Sequence, residues 1–233
     1  VESSRAKPVK YNIEQVLNHP FVPKYWTSNK AGMVGDLITD PEQIARLEKE
    51  WKSAAYRAAK TAQYFIEHEN VHKQIANRIL EPYLLTKQVI AGTEWDNFFK
   101  LRTAEDAEPH IRELALAMKH EMDLSVPVKR EGLHLPYISD EEFSKIVQYS
   151  IDNKTKEHPI QIAKKVSAAR CARCSVKAFD GTTSIEKDLA LADKLIKLKH
   201  FSPFEFVATP CSDKNLCGNY VGWMQFRKEL ELG

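Results

Sequence analysis

The 233-residue chain is 43% hydrophobic and 28% charged, ordinary values for a globular protein with one sizeable core or two small ones. Its 34 basic residues against 32 acidic ones leave a formal charge of +2, too balanced to indicate general nucleic-acid binding, and no apolar run approaches the ~20 residues needed to cross a bilayer. Four cysteines beside this much core give no sign of a disulfide scaffold, and the opening VESSRAKPVKYN does not resemble a signal peptide, so a reduced, cytoplasmic setting is expected.

The sequence begins at Val1, inside what reads as a motif, so the expectation is a processed chain or one that begins partway along its gene product. Ile44, Leu47, Trp51, Ala54, Ala55, Ala58, Ala62 and Phe65 then recur at helical spacing and form one apolar stripe. Asp40-Pro41-Glu42 supplies an N-cap and a first-turn proline, which predicts a long helix from about Pro41 to Glu69. A shorter helix follows over His72–Leu80 and stops near Pro82. TKQVIAGT, rich in β-branched residues and ending near Gly92, reads as a strand.

Glu94–Leu101 and Pro109–Met122 read as helices, the second with Ile111, Leu114, Ala115 and Met118 on one face. Asp123–Asp140 holds two prolines and one glycine with little periodicity; it is a surface connection and the best internal boundary in an otherwise single domain over 1–233. Beyond it, Glu141–Asn153, Pro159–Ser175 and Ser184–Leu198 are helical candidates and Phe204–Thr209 a candidate strand. The fold class expected is helix-rich α/β, in its α+β form.

Several local patterns carry chemistry. His68-Glu69-Asn70-Val71-His72 is a literal H-E-x-x-H, which on one helix would put two imidazoles on a face for Zn²⁺, with Glu94 a conceivable third ligand. Against a zinc protease stand Asn70, placed where the helix ends, and the proline and strand before Glu94. The plainer reading is two polar histidines at a helix end. Cys171-Ala172-Arg173-Cys174 is a C-x-x-C that Cys211 and Cys217 could complete, but the second pair's spacing is unlike a zinc ribbon and core packing is the expected fate. No metal site is therefore expected.

Arginines are more informative. Ser3-Ser4-Arg5 is a hydroxyl-plus-guanidinium cluster suited to phosphate. Arg78 and Arg102 have apolar neighbours, which predicts partial burial and hence an anionic partner, either a structural carboxylate or a ligand. His200-Phe201-Ser202-Pro203-Phe204-Glu205 reads as a turn entering a strand. With 8 glycines and no G-x-G-x-x-G, the chain would not hold a flavin by a Rossmann turn.

Together these fragments resemble the flavin-dependent thymidylate synthase (ThyX-like) family. NRILEPYLLTKQVIAGTEWDNFFKLRTAEDAEPHIRELALAM is similar to its helix–strand–helix block, with W-x-N-F-x-x-L-R and A-Q-x-E-I elements. ARCARCS and HFSPFEF resemble its A-A-R-x-S and H-x-S-P-F-E-H stretches, and VESSRAKPV the end of its R-H-R-x-x-S-x-N-E-x-S-x-R-Y signature. The order, with A-A-R-x-S and S-P-F-E-H last, matches the circularly rearranged phage-type branch. The resemblance covers most of the chain.

The resemblance implies a central sheet flanked by long helices and a homotetramer with active sites shared between chains. It implies methylation of dUMP at C5, with methylenetetrahydrofolate as carbon donor and FAD, reduced by NADPH, as hydride source. Ser3, Ser4, Arg5, Arg78 and Arg102 would bind the nucleotide, with Arg102 catalytic in stabilising charge on the uracil ring; Asn97, His200, Ser202 and Glu205 would face flavin and folate. No membrane or direct nucleic-acid partner is implied, and the setting is cytoplasmic, that of the host if the chain is viral. Departures are specific: the Arg-His-Arg half of the signature is absent, Glu108 replaces the glutamine of A-Q-x-E-I, and Phe206 replaces the histidine of S-P-F-E-H. Three alternatives stay open: a flavin-dependent dUMP hydroxymethylase for modified phage DNA, a non-catalytic nucleotide-binding homologue, and the zinc protease.

Overall fold

A computed structural model of the chain describes residues 3–32, 34–127, 132–173, 184–212 and 216–232. They fall into two compact units, one of residues 3–86 with 95–127 and one of residues 87–94 with 132–232. The class is helix-rich α+β.

The first unit begins with a 3-10 turn, Ser4–Ala6, and helix α1, Val9–Asn18. Asp40 caps α2, Pro41–Glu67, by accepting a hydrogen bond from the Glu42 N–H at 3.2 Å, with Pro41 at the first position as the sequence predicts. Along its inner face α2 carries Ala55, Ala59 and Ala62, all within 1% of full burial. These small side chains let α1 lie close, and Val9, Ile13 and Val16 fill the contact together with Ala76 and Leu80. Trp51, further up α2, donates through Nε1 to the Phe21 carbonyl at 2.7 Å and stacks edgewise on Trp26 and Tyr83.

The predicted helix over His72–Leu80 is split. Only α3, Lys73–Ala76, is α-helical; the chain tightens into 3-10 geometry over Asn77–Tyr83, where Pro82 provides no donor for a longer helix. Helix α4, Asp96–Arg102, packs on α5, Pro109–Leu124. Glu108 caps α5 with one carboxylate oxygen accepting from the N–H groups of His110 and Ile111. The carboxylate that departs from the family pattern thus has a structural task here.

The second unit is organised around a helix. α6 covers Asp140–Asp152, α7 Pro159–Arg173 and α8 Ile185–Lys197. Helix α7 is buried nearly all round, through Ile162, Ala163, Val166, Ala168, Ala169 and Cys171 among others. On one side it meets Ile138 and Ile146; on another it meets Ala192, Phe204, Val207 and Phe226. Helix α9, Phe226–Leu232, closes that second cluster.

The strands correct two expectations. Among the described residues they form two antiparallel pairs, β1 (Ala208–Pro210) with β4 (Trp223–Gln225) and β2 (Leu216–Cys217) with β3 (Tyr220–Val221). No larger sheet is present among the described residues. Among the described residues TKQVIAGT is extended but joins no ladder; near its end Asn219 Nδ2 donates to the Ala91 carbonyl, and Thr93 exchanges hydrogen bonds with Asn219 and Val221. Phe204–Thr209 is likewise a strand only from Ala208, since Ser202–Glu205 coils into a 3-10 turn.

Candidate functional site

The Ser3-Ser4-Arg5 cluster sits on the first 3-10 turn, which is held by a buried polar knot within the first unit. The Ser4 hydroxyl donates to Glu81 Oε1 at 2.6 Å. The Ser4 carbonyl accepts from Asn12 Nδ2 and from Asn77 Nδ2, each at 3.0 Å, and Asn77 Nδ2 also reaches the Lys7 carbonyl. Asn12 and Asn77 have no exposed surface. Ser4, itself nearly buried, therefore has its hydroxyl proton committed to Glu81, and its role in this geometry is to hold the turn that carries Ser3 and Arg5.

Arg5 follows Ser4, and Arg78 follows Asn77, so the Ser4–Asn77 hydrogen bond brings the backbone positions of two arginines distant in sequence into one neighbourhood. Both are exposed, and so is Arg102 at the last turn of α4. This corrects the partial burial expected for Arg78 and Arg102: both residues are exposed, as is Leu101 beside Arg102, whereas Ile79 and Leu80 after Arg78 are half-buried and buried. None of the three guanidinium groups makes an ion pair or hydrogen bond among the described residues. A guanidinium free of carboxylates is available to a phosphate, which it can grip bidentately.

Asn97 and Arg102 share α4, whose inner side is a cluster of Trp95, Phe98 and Phe99 rings with centroids 5.3–6.0 Å apart. Five residues apart on a helix, they point about 140° from one another and do not make a single face. Asn97 is exposed.

In the second unit, α8 ends in a left-handed residue, Lys199, at φ 56°, and the His200 N–H closes the turn onto the Leu195 carbonyl at 2.9 Å. His200 and Ser202 are exposed at this corner, while Phe204 is wholly buried. Glu205 is ion-paired with Arg227, and its carbonyl accepts from Gln225 Nε2 at 3.1 Å. Its carboxylate thus begins with a protein partner that any ligand would have to share.

The H-E-x-x-H pattern does not lie on one helix. His68 ends α2, Asn70 is left-handed at φ 49°, and His72 caps α3 by accepting from the Gln74 N–H. The helical face that a zinc protease needs is broken between the two imidazoles. Of the cysteines, Cys174 lies outside the described residues; Cys171 is buried on α7, and Cys217 Sγ accepts from the Gln225 N–H. Among the described residues no group of three or more His, Cys, Asp or Glu side chains could hold a metal ion.

Asn12 and Asn77 escaped the sequence reading. A signal was present: each is a polar residue on an otherwise apolar helical stripe, beside Ile13 and Ala76 respectively.

No protein-family model matches the chain, and neither does a curated protein or a solved structure. Among the described residues, no helix is long and apolar enough to cross a membrane.

Proposed function

We propose that the chain is a flavin-dependent enzyme that methylates dUMP at C5 to give dTMP, with methylenetetrahydrofolate supplying the carbon and NADPH the reducing equivalents through FAD. The observation that supports this reading best is the pair Arg5 and Arg78, exposed, without carboxylate partners and gathered by the Ser4–Asn77 hydrogen bond. Such a pair suits the dianionic phosphate of a nucleoside monophosphate. Ser3, on the same turn, would add a hydroxyl donor, and Arg102 would stabilise negative charge developing on the pyrimidine ring.

FAD, when bound, supplies the hydride chemistry; the chain's own residues orient and charge-balance the substrate. Asn97, His200 and Ser202 are exposed polar groups suited to the flavin and folate, and Glu205 would act from its pair with Arg227. A homotetramer with shared sites belongs to the same reading.

The test is the visible spectrum of the purified protein before and after addition of FAD and dUMP. A flavin band that shifts with dUMP is the expected result, followed by deuterium-free product analysis by mass spectrometry, in which dTMP and 5-hydroxymethyl-dUMP differ by one oxygen. A colourless protein indifferent to both ligands would turn the reading to a non-catalytic homologue.

A further inference from the structure

The first unit contains a cavity of about 280 Å³ that the flavin reading does not use. It lies where the segment from Lys24 to Ile38 meets the connection into α5 and the first two turns of that helix. Both sides are held. The Ser28 N–H donates to the Asp36 carbonyl and the Ile38 N–H to the Trp26 carbonyl, each at 2.8 Å, which folds the segment back on itself. The Lys24 and Tyr25 N–H groups donate to His110 Nε2 at 3.1 and 3.3 Å, which ties it to α5. Met33, outside the described residues of this segment, carries no charge.

Tyr25, Val34, Leu37 and Leu116 give the cavity an apolar wall, and Glu105, Arg112 and Glu113 bring charge to it. Glu113 is already ion-paired with Lys24. Arg112 is half-buried, and its Nε donates to the Thr103 carbonyl at 3.2 Å. That bond orients the guanidinium and leaves both Nη groups without a partner among the described residues. The exposed Glu105 carboxylate has no partner among them either. A guanidinium and a carboxylate therefore line one cavity without pairing to each other. A simple anion there would be repelled by Glu105, and a simple cation by Arg112; a ligand that carries both charges satisfies each.

We propose that this cavity binds a zwitterionic α-amino acid with an apolar side chain. Arg112 takes the carboxylate through its two Nη groups, Glu105 takes the ammonium, and the side chain lies against Tyr25, Leu37 and Leu116. The volume, at the lower edge of the roughly 300–1,000 Å³ of ordinary small-molecule sites, suits a ligand of this size. The ligand class differs from the nucleotide assigned to Arg5 and Arg78, and the proposal stands whether or not that assignment does.

Three probes of one carbon skeleton test it by isothermal titration into the full chain: L-leucine, 4-methylpentanoate, which lacks the ammonium, and 3-methylbutylamine, which lacks the carboxylate. Leucine is expected to bind saturably, and each analogue at least about tenfold more weakly, since each forfeits a charge-assisted hydrogen bond. Glu105→Gln, at an exposed and unpaired position, should leave the thermal melt unchanged and weaken leucine about tenfold or more, with 4-methylpentanoate bound no more weakly than before. Arg112→Gln should weaken leucine likewise and spare 3-methylbutylamine. The proposal is overturned if leucine does not saturate, if either analogue binds as well as leucine, or if Glu105→Gln binds leucine as the natural chain does.

Discussion

The Asn77 side-chain amide donates to the Ser4 carbonyl at 3.0 Å, across 73 residues of sequence, from a position with no exposed surface. That one contact ties the N-terminal turn to the 3-10 stretch before Tyr83, and the same amide reaches the Lys7 carbonyl. Replacing Asn77 by alanine takes a donor from both carbonyls, though the Ser4 carbonyl keeps Asn12 Nδ2. We expect Asn77→Ala to cost about 1–3 kcal/mol in urea unfolding, the sum of two lost buried hydrogen bonds at about 0.5–1.5 kcal/mol each. If Arg5 and Arg78 act together, the folded variant should also bind dUMP more weakly while a surface control such as Lys49→Ala does not. Equal affinities would show that the turn need not be held for the arginines to work.

Arg78→Ala addresses the phosphate grip directly. The guanidinium is exposed and unpaired among the described residues, so its loss should leave urea stability within about 0.5 kcal/mol. Its loss should weaken dUMP binding roughly tenfold or more, because a charge-assisted hydrogen bond to phosphate is worth about 1.5–3 kcal/mol. Deoxyuridine, which lacks the phosphate, should bind both forms alike. Isothermal titration with the two ligands checks this, and a matching loss for deoxyuridine would point to general disruption.

Much of the fold was legible because helical period and capping act locally. Asp40-Pro41-Glu42 marked the start of α2, and the structure caps it there; Pro159 and Ser184 marked α7 and α8 to within a residue or two. The strands were misread because β-branched content in TKQVIAGT signals only a preference for extended backbone, whereas a ladder needs a partner that the sequence does not name. α1 went unread because its stripe is short: Val9, Ile13 and Val16 alone. At the candidate site, residue types were legible but their environment was not. Arg78 and Arg102 have apolar neighbours in sequence, yet a helix turns adjacent side chains to different faces, so a neighbour's burial says little about an arginine's own.

Asp188 tests the second unit. It has no exposed surface and accepts from Arg170 Nε at 3.2 Å and Arg173 Nε at 2.8 Å, joining α8 to α7. Removing Asp188 takes the carboxylate from Arg173, which keeps only the Lys187 carbonyl, while Arg170 retains Glu142 and the Tyr137 carbonyl. Asp188→Ala is therefore expected to cost about 1.5–3 kcal/mol in chemical denaturation, the worth of a charge-assisted hydrogen bond. Asp188→Asn keeps the shape and one acceptor and should fall in between. A loss under about 1 kcal/mol for alanine would mean that the two guanidinium groups find solvent instead.

The start of α6 gives a pH prediction. Ser139 Oγ accepts from the Glu142 N–H, and Glu142 Oε2 accepts from the Ser139 N–H at 3.0 Å, a reciprocal cap. That backbone N–H chiefly, and also the Arg170 guanidinium, hold the Glu142 carboxyl below the usual glutamate range despite opposing desolvation. A carboxyl lowered in the folded state releases its proton more readily there than in the unfolded chain. Its contribution is complete above the ordinary glutamate titration and is lost as pH falls through the lowered value. Glu142→Gln should lower stability at neutral pH by up to about 1 kcal/mol, since the carboxylate is partly solvated. The difference should shrink steadily toward acid, as read from urea midpoints.

Gly218 offers the sharpest steric test. Its φ is +60°, and a Cβ built there would lie 2.4–2.7 Å from the side-chain amide of Gln225, which is itself buried and donates to the Glu205 carbonyl. Gly218→Ala thus meets two separate obstacles. The left-handed backbone costs an alanine about 1 kcal/mol or more, and the clash forces Gln225 away from its acceptor, at a further cost of about 1–3 kcal/mol. A double variant separates them. Shortening Gln225 to serine removes the clash while leaving the backbone conformation untouched, so Gly218→Ala should cost less in the Gln225→Ser background than in the natural one. The remainder should match the backbone penalty alone. If the cost is the same in both backgrounds, Gln225 moves aside freely, and the hydrogen bond to Glu205 contributes little to holding the turn after β2 against β4.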